Sequence, residues 1–242
     1  MPEDHFGERI AARYDTPGKG MFAQEVVEPA VDFLAAEARG GAALELGIGT
    51  GRIALPLAAR GVEVHGIDLS EAMVARLRAK PGGDRIGVAI GDFATTRVDG
   101  TFTLAYLVFN TINNLTTQDA QVACFENVAR HLAPGGRFVV EVGVPDLQRL
   151  PPGERFRPFD VSPEHLGFDE YDVVEQGLVS HHVTLVDGAF ERVAMPFRYV
   201  WPSELDLMAR IAAMRLEHRF ADWIRVPFTA ESRKHVSVWE KP

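Results

Sequence analysis

The segment ALELGIGTGRIALPLAARGVEVHGIDLS, beginning at Ala43, constrains the fold of this chain more than any other. An apolar run over 42–46 predicts a strand, Gly47, Gly49 and Gly51 alternate after it, and a helix is predicted over 52–60, interrupted or kinked at Pro56. Glycine is required where the backbone takes positive φ or must touch a ligand with no side chain between. A loop between the carboxyl end of a strand and the N-terminus of a helix offers free N–H groups to an anionic ligand, and open α/β sheets bind ligands in that crevice. The next strand, predicted over 62–67, ends at Asp68, 17 residues after Gly51. A carboxylate there can accept from both hydroxyls of a ribose, and each bond to a charged acceptor contributes ~1.5–3 kcal/mol.

The alternation continues. Ser70 is a suitable N-cap for a helix running to Lys80, which Pro81-Gly82-Gly83 ends. Strands are predicted at 86–90 and 102–109, a helix at 117–132, and a strand at 137–142. Crossover helices joining successive strands demand a mainly parallel, doubly wound α/β sheet with helices on both faces. Residues 1–40 read as a helical cap, with Val27, Val31, Leu34 and Ala38 at helical spacing. The chain is expected to be a single domain with its core over 41–145 and 202–242. Residues 145–168 read as a proline-rich connecting loop. Strands follow over 170–176, 178–186 and 190–201, joined by Gly177 and by Asp187-Gly188, a strong hairpin signal. This antiparallel meander cannot extend a parallel sheet by the same crossovers, so 146–201 is expected to be an insertion, either a lid or a dimer interface. A helix over 202–213 and strands at 215–220 and 235–240 complete the chain.

Charge narrows the partners. With 25 Lys and Arg against 34 Asp and Glu in 242 residues, the net charge of −9 disfavours a nucleic-acid substrate. The lone Cys124 excludes an internal disulfide and a cysteine-based zinc site, and no His/Asp cluster stands at metal-ligand spacing. No stretch approaches the ~18 apolar residues of a membrane span, and the opening MPEDHFGERI is charged where a signal peptide needs an apolar core. The expectation is a cytoplasmic protein, monomeric or homodimeric.

Two ligand classes use this loop geometry. A dinucleotide loop spaces its glycines G-x-G-x-x-G, which would put the third at position 52, where Arg52 stands. Here the spacing is G-x-G-x-G, preceded by Glu45. E-L-G-I-G-T-G with G-I-D-L-S, then Gly91-Asp92-Phe93 and Leu132-Ala133-Pro134-Gly135-Gly136, resembles the nucleotide-binding core of the class I S-adenosylmethionine-dependent methyltransferases over about residues 40–142. The resemblance implies a seven-stranded sheet, S-adenosyl-L-methionine as cofactor, S-adenosyl-L-homocysteine as product, and no metal. It further implies that Glu45 and the glycines contact the methionine end, that Arg52 is among the cofactor-binding residues, and that Asp68 takes the ribose hydroxyls. Leu69 and Met73 would flank the adenine, Asp92 would accept from its amino group, and Phe93 would stack or donate through its N–H. Phe109, at the end of strand four, joins this set.

For a methyl transfer, alignment matters most, and a base is needed only if the nucleophile arrives protonated. Candidates are few. Phe109-Asn110-Thr111-Ile112-Asn113-Asn114 follows strand four, and Asn110 and Asn114 suit orientation of a polar acceptor. Methyltransferases of nucleic-acid amines carry Asn/Asp-Pro-Pro-aromatic at this place, and this segment has no proline. Tyr14 could close over the cofactor, an arrangement similar to the aminosugar N-methylating enzymes. Those carry a histidine about where Asn114 falls, and asparagine cannot act as a base. Of His181 and His182, strand alternation lets only one look into a pocket, and His182 is the candidate base. The expected function is methyl transfer to an O or N atom of a small polar metabolite. A non-catalytic cofactor-binding protein and an NAD-dependent oxidoreductase are the alternatives.

Overall fold

The computed structural model describes residues 4–186 and 188–242. Five parallel strands form its centre: β1 (Ala43–Leu46), β2 (Val64–Asp68), β3 (Gly87–Ile90), β4 (Phe102–Leu107) and β5 (Leu132–Gly143). With β10 (Arg215–Phe220) and β11 (Lys234–Glu240) they make a seven-stranded sheet in the order β10-β11-β5-β4-β1-β2-β3. Only β11 runs against its neighbours. Alternation along each strand divides the apolar side chains between two cores. Leu44, Leu46, Ala105, Leu107, Phe138 and Val140 face α5 (Gln118–His131) and α6 (Pro202–Ile211). Ala43, Leu104, Tyr106 and Val139 face α2 (Gln24–Ala38) and α3 (Ala54–Ala59). The fold is the doubly wound, seven-stranded α/β sheet that the alternation demands.

Two helical expectations need correction. The N-terminal 40 residues are not one helical run: α1 (Glu8–Tyr14) and α2 are separated by an extended stretch and a short 3-10 turn at Gly20–Phe22. Gly18 and Gly20, both at positive φ, break the helix there. Pro56 does not kink α3, because the helix starts at Ala54 and proline is tolerated in a first turn, where N–H groups have no helical partner. The predicted cap holds: Ser70 Oγ accepts from Met73 N and opens α4 (Glu71–Arg78).

The insertion is a separate antiparallel sheet in the order β6-β7-β8-β9. It comprises β6 (Phe156–Val161), β7 (His165–Asp172), β8 (Gly177–Val186) and β9 (Ala189–Arg198). The stretch read as loop therefore contains all of β6 and the start of β7. Pro158 argues against a central strand, but β6 lies at the sheet edge with a register shift between Pro158 and Asp160, where a missing donor is harmless. Tyr199–Trp201 leave the last strand, and Asp187 of the predicted hairpin turn lies outside the described residues, although Val186 pairs with Ala189 across it. The base of this sheet is pinned to the core. Arg198, 4% exposed, bonds Gln121 and Glu204, and Gln176 donates to Tyr199 O and to Glu204.

Candidate active site

The glycine loop turns at the carboxyl end of β1. Gly47, at φ 67°, donates to Ile67 O, and an added Cβ there would stand 2.6 Å from Thr111 Cγ2. Gly49 N donates to Asp68 Oδ2 at 2.6 Å, and Ser70 N donates to Oδ1 at 2.9 Å. Asp68 thus shapes the loop, while each carboxylate oxygen keeps a further lone pair. Burial raises its pKa and the two N–H bonds oppose the rise.

Glu45 and Tyr106 stand side by side in the parallel register of β1 and β4, and the Tyr106 hydroxyl donates to Glu45 Oε2 at 2.9 Å. Glu45 is 2% exposed, and burial pushes its pKa up to about 8, against the Tyr106 bond and the Arg52 charge. Arg52 donates to Met21 O at 3.2 Å, and its guanidinium lies 5.9 Å from the Phe22 ring and 5.3 Å from that of Phe109.

An N-terminal strap crosses this loop. Asp15 accepts from Thr50 Oγ1 and pairs with Lys80 Nζ, both at 2.6 Å, and Lys80 also donates to Thr50 O. Tyr14 lies edge-on between Phe6 and Phe22. Burial raises its phenol pKa, and Asp68, Glu45 and Arg52 all act on it. Glycine spacing carries no trace of the Asp15–Lys80 latch, whose partners are 65 positions apart.

At the end of β4 the chain bends through two consecutive left-handed residues, Phe109 (φ 54°) and Asn110 (φ 61°). Non-glycine residues in that region cost ~1–3 kcal/mol each and persist only where the surroundings over-determine them. Glu141 does so here, accepting from Phe109 N at its carboxylate and from Asn110 N at its carbonyl, while Lys234 holds its other oxygen. Phe109 is left 45% exposed on a cavity of about 390 Å³ that also meets Arg52, Asn110, Val26 and Trp223.

Several predicted residues are occupied with local structure. Asn110 Oδ1 accepts from Gly143 N, and Asn114 Nδ2 donates to Thr111 O within the 3-10 turn Thr111–Asn114. Asp92 Oδ1 accepts from Ala94 N. Met73 and Phe93 are buried beside the loop, with Met73 Cε 3.5 Å from an added Gly49 Cβ and Phe93 3.8 Å from one on Gly47. Leu69 borders a shallow groove with Ile90 and Gly91. Cys124 is buried in the core, where burial pushes its thiol pKa up.

His182 belongs to the sheet face turned toward α1 and the segment after β5. Register places Glu191 opposite Thr184, and Arg157 opposite Asp169, which is opposite Ser180. All therefore share the face of His182. Glu191 meets Arg9 of α1 at 3.8 Å, and Arg157 meets Asp146, just beyond β5, at 2.7 Å. His181 lies on the opposite face, stacked on Phe168 and bonded to Glu170.

A family model described as Methyltransferase domain matches residues 43–136, the strands and loop that build the crevice. The solved CcbJ methyltransferase from Streptomyces caelestis is 37% identical with a TM-score of 0.86, covering 98% of this chain and 97% of that one. Among curated proteins, the cypemycin N-terminal methyltransferase of a Streptomyces species is 28% identical over 201 residues, 82% of each chain. S-adenosylmethionine-bound CalS10, an amino pentose methyltransferase from Micromonospora echinaspora, shares the fold at TM-score 0.70 and 21% identity, over 100% of both chains. The chain belongs to the class I S-adenosylmethionine-dependent methyltransferases, and S-adenosylmethionine is its cofactor. Membership sets aside the NAD-dependent alternative. Among the described residues, no group of three or more His, Cys, Asp or Glu could hold a metal ion, and no helix is long and apolar enough to cross a membrane.

Proposed function

We propose that this methyltransferase acts on a nitrogen of a small polar metabolite, an amine, held between the core crevice and the second sheet. The observation that carries the reading is the polar face of that sheet. Arg157, Asp169, Tyr171, Ser180 and His182 share one side by register, and ion pairs to Arg9 and Asp146 turn that side toward α1 and the segment after β5. Such a face suits a compact acceptor with several polar groups, and residues 146–201 serve as its lid. The 82% overlap with an enzyme named for N-terminal methylation favours nitrogen. So does the chemistry of the face: a neutral imidazole takes a proton more readily from an ammonium group than from an alcohol, which is the far weaker acid.

The cofactor would be held by the bare backbone of Gly47, Gly49 and Gly51, by the free lone pairs of Asp68, and by Glu45 and Arg52 at the methionine end. Leu69, Met73, Asp92 and Phe93 border the place for the adenine. When bound, S-adenosylmethionine supplies an electrophilic methyl group on its sulfonium. The chain's own task is alignment and exclusion of water, and alignment can contribute ~7–11 kcal/mol in favourable cases. Tyr14 and the Asp15–Lys80 latch close the strap over the loop, Phe109 gives the acceptor an aromatic wall, and Asn110 and Asn114 fix the backbone that carries it. The expected setting is the cytoplasm. Incubation with methyl-labelled cofactor and a panel of amines and matched alcohols, read by mass spectrometry, tests the assignment. Label is expected on amines, and label confined to alcohols would overturn it.

A further inference from the structure

Three polar side chains on the second sheet are joined end to end. Asp160 Oδ2 lies 2.6 Å from His165 Nδ1, and His165 Nε2 lies 3.0 Å from His182 Nδ1. An ionised carboxylate only accepts, so His165 carries its proton on Nδ1 and presents Nε2 as an acceptor. His182 must then donate through Nδ1, which leaves its Nε2 with a lone pair. That nitrogen is 3.4 Å from Ser180 Oγ, on the side of the ring nearer the base of the sheet, and Ser180 stands opposite Asp169 in the pairing of β7 and β8. Direct register pairs, Asp160 with Gly167 and Gly167 with His182, hold the members together across three strands. Gly167 leaves a slot filled by the Phe159 ring, since an added Cβ would fall 2.2 Å from it. The ring stands edge-on to His182 at 5.4 Å.

We propose that Asp160, His165 and His182 form a proton relay, and that His182 Nε2 takes the proton of the acceptor's ammonium group. The inference rests on the amine reading above. The N–H bond breaks with its electron pair left on nitrogen, and the proton goes to Nε2. The freed pair then bonds the methyl carbon as the carbon–sulfur bond breaks and its electrons return to sulfur. The imidazolium is stabilised through His165 by Asp160, and directly by Asp169 on β7. His165 and, across the sheet, His181 oppose its charge. Glu191 on β9 adds an acid to the same face, and Arg192, bonded to His181, adds a cation on the other. His165 and Asp160 are positioning residues, and the pKa of His182, lowered by burial and by His165, keeps the ring neutral and able to accept near pH 7.

Full-length protein labelled with 15N-histidine and loaded with S-adenosylhomocysteine tests the relay without any acceptor. Long-range 15N–1H spectra should show both rings in the Nδ1–H form. Asp160→Asn, whose amide can donate to His165 Nδ1, should invert the tautomer of His165 and with it that of His182. Rings of the Nε2–H form in the parent, or a His182 tautomer indifferent to Asp160→Asn, would overturn the relay. With an amine that the labelled panel identifies as acceptor, His182→Gln should lower kcat at least ~100-fold and abolish its acid limb. Asp160→Asn should lower kcat with KM unchanged. Amine methylation at the parent rate by His182→Gln would overturn the base assignment while leaving the amine reading intact. Methylation of alcohols alone would remove the amine reading, with the tautomer result still standing by itself.

Discussion

The buried carboxyl of Glu45 offers the sharpest test of how the crevice works. Its ordinary pKa of 4.5 is pushed to about 8, chiefly by burial. At 1.36 kcal/mol per pH unit that gap amounts to roughly 5 kcal/mol, an upper bound because the site can relax and admit water. The sign follows from the raised value. Below pH 4.5 both folded and unfolded chains hold the proton and nothing is lost. Between 4.5 and about 8 the unfolded chain ionises first, so stability falls across that window and then levels off. Glu45→Gln retains an acceptor for the Tyr106 hydroxyl and removes the titration. The variant should match the parent near pH 5 and exceed it at pH 8. Even half of the upper bound would raise Tm by about 5–10 °C for a chain of this size. Cofactor binding should show the reverse face of the same effect. The proposed placement of the cofactor's cationic amino group beside Glu45 would favour the carboxylate, so binding at pH 7 should release close to one proton in the parent and none in Glu45→Gln. Calorimetry in two buffers of different ionisation enthalpy reads that number. Parallel stability curves for the two proteins from pH 5 to 8, together with no proton release, would refute the reasoning.

Asp68→Ala should weaken S-adenosylhomocysteine binding by ~1.5–3 kcal/mol, roughly 10- to 160-fold by calorimetry, since charge-assisted bonds are lost. Gly47→Ala should destabilise the fold by about 1 kcal/mol or more in denaturant unfolding, because φ is positive and Thr111 Cγ2 stands in the way. Adding Thr111→Ser removes that methyl and should recover the steric part alone. Cys124, buried with its thiol pKa pushed up, should resist iodoacetamide in the native protein and react fully once it is unfolded.

Some of this molecule is written locally. The spacing Gly47-x-Gly49-x-Gly51, an acid at 68 and regular strand–helix alternation need only neighbours along the chain, so the parallel core and its crevice can be read from composition and period. Ser70 as an N-cap is of the same kind. Other features fail to show because their partners are distant. β6 carries Pro158 and exposed aromatics, which resemble a loop until pairing with β7 makes it an edge strand. Asn114 and Asp92 look like free polar groups in sequence, yet each closes its own turn, since short side chains at strand ends compete for nearby backbone groups.

The cofactor class and the fold were therefore determined by the sequence alone, through residue types at fixed short spacings. Only the tertiary structure decided that Glu45 meets Tyr106, that Asp15 latches the strap to Lys80, that Glu141 holds Phe109 in a left-handed bend, and that Asp160, His165 and His182 line up. Each of these depends on strand register or on loop closure across tens of residues. Burial then sets the protonation of the groups so brought together, and burial is a property of the folded chain.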